Sequence, residues 1–175
     1  AISNSQKGLS VISFGNQLIK QFVAELSLML PQLQDFVTLS PIPGLNHWLT
    51  TQTDNAHHGH IAAAILEHRA KAQDIRAMAA RYLLLAKRDD GMPIDPVARF
   101  HLGNGAQIYD IHADADTSDK GWTQSSGAMV NYHYDLSQTQ QRHGDFALKS
   151  IVAAAKPVQA LATATFATKT KEKSP

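Results

Sequence analysis

Three residues and two clusters in this sequence carry side chains that could do chemistry. Ser40 closes the apolar run Phe36-Val37-Thr38-Leu39 and is followed by Pro41 and Pro43. Proline has no N–H for a sheet ladder, so the run predicts a short buried strand with Ser40 at its C-terminal tip. Ligands of open sheets bind at such strand ends, and the ordinary alternative is a serine capping the helix that follows the prolines. His101 lies in the apolar string Val97-Ala98-Arg99-Phe100-His101-Leu102. Its imidazole titrates near neutrality and suits general acid work, although a histidine in such a string is more often a satisfied, half-buried residue. Tyr134 offers a further hydroxyl, with a core tyrosine as the more ordinary reading. His57-His58-Gly59-His60 and the run from His112 to Asp116 bring imidazoles and carboxylates to spacings that can bind zinc, copper or nickel. Such a histidine loop is usually just solvated, and no metal site is assigned to it.

These groups need a scaffold, and hydrophobic periodicity supplies one. Leu18, Ile19, Phe22, Val23, Leu26 and Met29 form one stripe at helical spacing, preceded by Gly15-Asn16 and ended by Pro31. A short helix over 44–50 and a polar loop over 51–59 come next. Helices are expected over 60–72 and 74–88, the second with Ile75, Met78, Ala79, Tyr82 and Leu83 on one face. Asp89-Asp90-Gly91-Met92-Pro93 is turn chemistry. Asp95 can cap a short helix whose first residue is Pro96, and Gly103-Asn104-Gly105 reads as a tight turn. A strand is expected over 107–112. A second is clear where Val130, Tyr132, Tyr134 and Leu136 alternate with Asn131, His133 and Asp135. A last helix is expected over 144–161, with Leu148, Ile151, Val152, Ala155 and Val158 facing in, before a polar tail over 162–175. Strands and helices mixed in this way predict an α/β or α+β domain around a mixed sheet.

Composition excludes more than it identifies. The chain has 175 residues, 43% of them hydrophobic and 18% charged, with a formal net charge of +1. That length suits one domain with one core. No basic stripe with interleaved aromatics marks a nucleic-acid face. No apolar run reaches the roughly 18 residues that span a membrane. The absence of cysteine removes disulfides, thiolate metal sites and a cysteine nucleophile. The start lacks the pattern of a secretory signal and the C-terminus is not a peroxisomal address, so the expected location is cytoplasmic. Self-association into a homo-oligomer is compatible with the sequence and is not specified by it.

Four strings together resemble the malonyl-CoA decarboxylase family. They are the stretch from Lys7 to Lys20, containing Ser10-Val11-Ile12-Ser13-Phe14-Gly15-Asn16; Thr38-Leu39-Ser40-Pro41-Ile42-Pro43-Gly44; Asp95-Pro96-Val97-Ala98-Arg99-Phe100-His101-Leu102-Gly103-Asn104-Gly105-Ala106; and Ala115-Asp116-Thr117-Ser118-Asp119-Lys120-Gly121, continuing to Met129-Val130-Asn131-Tyr132. They occur in the family's order. The resemblance implies a GNAT-like catalytic domain, a mixed sheet flanked by helices. Residues 1–161 would be its C-terminal part, without the family's helical N-terminal domain and the start of the catalytic one. It also implies that Ser10, Val11, Ile12, Ser13, Phe14, Gly15 and Asn16 hold coenzyme A. A glycine-bearing loop leading into a helix suits a pyrophosphate, because free backbone N–H groups and the helix dipole point at it.

The activity so implied is loss of carbon dioxide from malonyl-CoA to give acetyl-CoA, in fatty acid metabolism. The thioester carbonyl is itself the electron sink, so no metal or organic cofactor is called for, and the coenzyme A thioester is the substrate. The protein must orient the carboxylate, stabilise a developing enolate and return a proton to carbon. The resemblance assigns catalysis to His101 as proton donor and Ser40 as the group that orients it; Tyr134 is counted with the substrate-binding residues as an additional hydroxyl near the site. The sequence departs from the family at His112 and Ala113, where an Asn-Trp pair is usual, at Val11 for a glycine, and at Gln17 for an aromatic residue. A non-catalytic or acyltransferase-type coenzyme A-binding protein of the same fold is the alternative.

Overall fold

The computed structural model describes Glu25, Met29 and residues 35–166. The elements are β1 (Asp35–Pro41), α1 (Leu45–Thr50), α2 (Gly59–Leu66), α3 (Ala72–Leu85), α4 (Pro96–Gly103), β2 (Gln107–His112), α5 (Asp119–Ser125), β3 (Met129–Asp135), α6 (Thr139–Lys149) and α7 (Lys156–Thr163). Glu25 and Met29 are helical, in keeping with the helix expected over 18–29. The rest of that helix and the expected coenzyme A loop, Ser10 to Asn16, lie outside the described residues.

The α+β expectation holds, and the sheet takes the order β1-β3-β2 with both pairs antiparallel. Within the described residues its parallel component is one bridge, Ile108 to Ala154. β3 is central because it alternates cleanly: Val130, Tyr132 and Tyr134 are buried while Asn131 and His133 take the other face. Thr38 lies opposite Tyr132 and Ser40 opposite Val130. β2 slips by one residue between Ile108 and Asp110. That bulge at Tyr109 lets Ile108 and Ile111, three apart, both reach full burial, which strict alternation forbids. β1 is less buried than expected. Val37 and Leu39 are about half exposed, and only Ser40 in it is fully enclosed.

α3 is the core helix, and its predicted face (Ile75, Met78, Ala79, Tyr82, Leu83) is buried. α4 begins as its sequence requires. Asp95 accepts the Ala98 N–H at 2.7 Å, with Pro96 in the first turn. Burial raises the Asp95 carboxyl above its ordinary range, opposed by hydrogen bonds from the Ala98 N–H and the Tyr82 hydroxyl.

The long final helix is a correction. The chain forms α6 and α7 instead, broken at Ser150, which is left-handed at φ 54°. Pro157 is the reason. It has no N–H for a helix interior, so it fits only the first turn of a new helix. The intervening Ala153 and Ala155 then bond to the backbone of Ile108. Leu148, expected inside, is 85% exposed, and Ile151 is half exposed, whereas Val158 is fully buried. The expected tail boundary at 161 falls within α7, and Phe166 beyond it lies against Arg81 and His58.

α4 is joined to β2 through Gly105, at φ +81°, where a Cβ would come within 2.1 Å of the Thr139 carbonyl oxygen. Gly105→Ala is therefore expected to cost more than about 2 kcal/mol, from left-handed strain and backbone collision together. Urea denaturation midpoints of the variant and the parent check this.

Candidate active site

Ser40 and His101 are brought together by two elements that are distant in sequence. β1 presents Ser40 on its inward face one residue before the strand ends. α4 is short and amphipathic. Ala98, His101 and Leu102, at helical spacing, all turn inward over the sheet. The Ser40 Oγ lies 3.1 Å from His101 Nε2. The other ring nitrogen, Nδ1, lies 2.7 Å from the Tyr134 hydroxyl. Both nitrogens of a buried imidazole are thus satisfied, as burial demands. Ser40 is 7% exposed and His101 6%. The pair is enclosed, with Thr38 Oγ1 a further 3.4 Å from the Ser40 hydroxyl.

Burial pushes the His101 imidazole down to about 4, from an ordinary value of 6.5. The near-neutral titration expected from the residue type is therefore corrected downward, because removing the imidazole from water penalises its cation. Neutral imidazole has one N–H and one acceptor nitrogen. If Tyr134 donates to Nδ1, Nε2 donates to Ser40; if Nδ1 donates to Tyr134, Nε2 accepts from Ser40. Burial also holds the Tyr134 phenol well above its ordinary value, so it stays protonated.

Tyr134, read from sequence as a core tyrosine or a site hydroxyl, is buried in the core with its hydroxyl against His101 Nδ1. Tyr132 carried no role in the sequence reading. Its ring stacks on the His101 imidazole with centroids 4.1 Å apart and planes 14° apart. Alternation had already put it on the same face as Tyr134, but nothing local said which helix would lie above. The expected substrate loop, Ser10 to Asn16, cannot be related to this centre, since it lies outside the described residues. The histidine clusters do not converge: among the described residues no three His, Asp or Glu side chains gather as a metal-ligand set. His58 instead meets Gln52, and His112 meets Asn131. Among the described residues no helix is long and apolar enough to cross a membrane.

The fold and this Ser–His–Tyr cluster define an α+β domain with a buried polar cluster between a strand end and a short helix. The chain belongs to the malonyl-CoA decarboxylase family: the family described as "Malonyl-CoA decarboxylase C-terminal domain" matches it over residues 1–173. It is 33% identical over 173 residues to the mitochondrial malonyl-CoA decarboxylase of Anser anser anser, covering 79% of this chain and 34% of that protein. It is likewise 33% identical over 172 residues to the Mus musculus protein, with coverage of 79% and 35%. The solved malonyl-CoA decarboxylase of Rhodopseudomonas palustris superposes with a TM-score of 0.81 at 41% identity, over 92% of this chain and 40% of that one. The Agrobacterium vitis structure gives 0.80 at 39% identity, over 91% and 43%. The chain thus spans about a third of the length of the curated relatives it matches.

The buried imidazole makes a prediction about stability. Between pH 6.5 and about 4 the unfolded chain binds a proton at His101 that the folded chain does not. Stability therefore carries no penalty from this group above pH 6.5. It falls as the solution is acidified toward pH 4, by on the order of 3 kcal/mol at most. His101→Gln should remove that component, so urea midpoints of parent and variant should diverge in slope across this window. Parallel slopes would mean that the folded imidazole titrates normally.

Proposed function

We propose that this chain carries the reaction centre for decarboxylation of malonyl-CoA to acetyl-CoA and carbon dioxide, with His101 as proton donor and Ser40 as its partner. The observation that carries the proposal is the buried hydrogen bond between Ser40 Oγ and His101 Nε2, 3.1 Å long, in a chain of the malonyl-CoA decarboxylase family. The reaction needs no added electron sink. The C–C bond breaks, carbon dioxide leaves, and the electron pair passes into the thioester carbonyl as an enolate. Carbon then takes a proton and acetyl-CoA results.

The proton comes from the cluster. Burial disfavours imidazolium, but the malonyl carboxylate brings a negative charge beside it and raises its proton affinity. Imidazolium donates from both nitrogens, to Ser40 Oγ and to the Tyr134 oxygen. Ser40 occupies the hydrogen-bonding direction of Nε2, so delivery runs through it. The hydroxyl gives its proton to the enolate carbon and takes one from Nε2, leaving neutral imidazole, which solvent reprotonates in the next cycle. Before cleavage the same hydroxyl can hydrogen-bond the carboxylate. Water exclusion around the pair strengthens each of these interactions.

Coenzyme A is assigned to the loop from Ser10 to Asn16 on the family resemblance and on the affinity of a glycine-bearing loop for pyrophosphate. A GNAT-like domain and independence from metal and organic cofactors belong to the same proposal. The thioester carbonyl supports the latter, since it already accepts the electrons.

Malonyl-CoA incubated with the protein in the presence of chelator should yield acetyl-CoA, followed by mass spectrometry. Ser40→Ala and His101→Ala should each lower kcat by about 100-fold or more, the usual range for a positioned proton donor. Tyr134→Phe should lower it by about tenfold, through loss of the Nδ1 hydrogen bond. Binding of coenzyme A without turnover would instead favour the non-catalytic alternative.

A further inference from the structure

We propose that Tyr132 is a positioning residue for this centre, its ring serving as the platform that fixes the plane of the His101 imidazole; this rests on the reading of Ser40 and His101 as the proton-delivering pair. The torsion that turns an imidazole about its Cβ–Cγ bond is soft and roughly two-fold. A half-turn would swap each nitrogen for a carbon, leaving Ser40 and Tyr134 facing C–H groups. Hydrogen bonds at the ring edge set its direction but act only along that edge. The Tyr132 ring covers a whole face, 4.1 Å away and within 14° of parallel. The Phe100 ring meets the same imidazole edge-on at 5.2 Å and 81°. Tyr132 is fully buried in the central strand, opposite Thr38 of the Ser40 strand. The platform and the serine are therefore registered to one another by the sheet itself.

The ring, rather than the hydroxyl, makes this contact. Among the described residues the Tyr132 hydroxyl has no hydrogen-bond partner, although it is fully enclosed. That separates the two parts of the side chain experimentally. Tyr132→Leu removes the platform and keeps an apolar group in the core, whereas Tyr132→Phe keeps the platform and removes an unbonded hydroxyl.

Steady-state turnover of malonyl-CoA is measured for the full chain and both variants, with folding checked by circular dichroism. The expected result is a kcat for Tyr132→Leu at least about 30-fold below the parent, with KM within about threefold, since misaligning a donor affects chemistry more than binding. Tyr132→Phe should restore kcat to within about threefold of the parent. A Tyr132→Leu protein with parental kcat overturns the proposal. So does a Tyr132→Phe protein as slow as Tyr132→Leu, which would assign the effect to the hydroxyl, and so does a loss carried wholly by KM. Should Tyr132→Leu not fold, Tyr132→Met makes the same comparison, and the Tyr132→Phe result remains decisive against the ring. Failure of the decarboxylase reading looks different: the parent itself would give no acetyl-CoA, and the positioning role would fall with it.

Discussion

A buried imidazole has two ring nitrogens, and each must find a partner once water is excluded. That requirement organises this domain. His101 meets it with one hydroxyl from β1 and one from β3, at 3.1 and 2.7 Å. His101 thus takes its two partners from different strands and lies between them, over the Tyr132 ring. The antiparallel register of β1 on β3, which sets Ser40 opposite Val130, Thr38 opposite Tyr132 and Phe36 opposite Tyr134, fixes how far apart those partners stand.

The supporting structure answers to the same constraint. α4 has only eight residues, too short to be stable alone. It is held by the Asp95 cap at its start and, at its end, by the left-handed turn through Gly105. The bulge at Tyr109 keeps both isoleucines of β2 in the core beneath β3. With Tyr132 locked between the sheet and α4, the imidazole has little room to rotate. The rigidity of the cluster thus comes from ordinary packing and capping.

Burial has a chemical consequence as well as a structural one. Burial lowers the proton affinity of a histidine whose ordinary titration lies near neutrality, because its cation is desolvated. Under the proposed function, the imidazole would charge as the substrate carboxylate arrives.

Features that depend on a few neighbouring residues were readable from the chain alone. The cap at Asp95, the turn at Gly91, the alternation of β3 and the inward face of α3 each follow from local rules, and the structure bears them out. The family strings were equally local. The final helix was misread because apolar spacing was followed through Pro157, a local signal that outranks periodicity. Other features were not present in any one segment. Ser40 and His101 are 61 residues apart, and His101 and Tyr134 are 33 apart. Their hydrogen bonds, the Tyr132 stack and the lowered proton affinity of the imidazole arise only when several elements exclude water from one point. Residue types therefore declared which groups could act, while tertiary packing decided which of them meet and in what protonation state, because desolvation is a property of the assembled core.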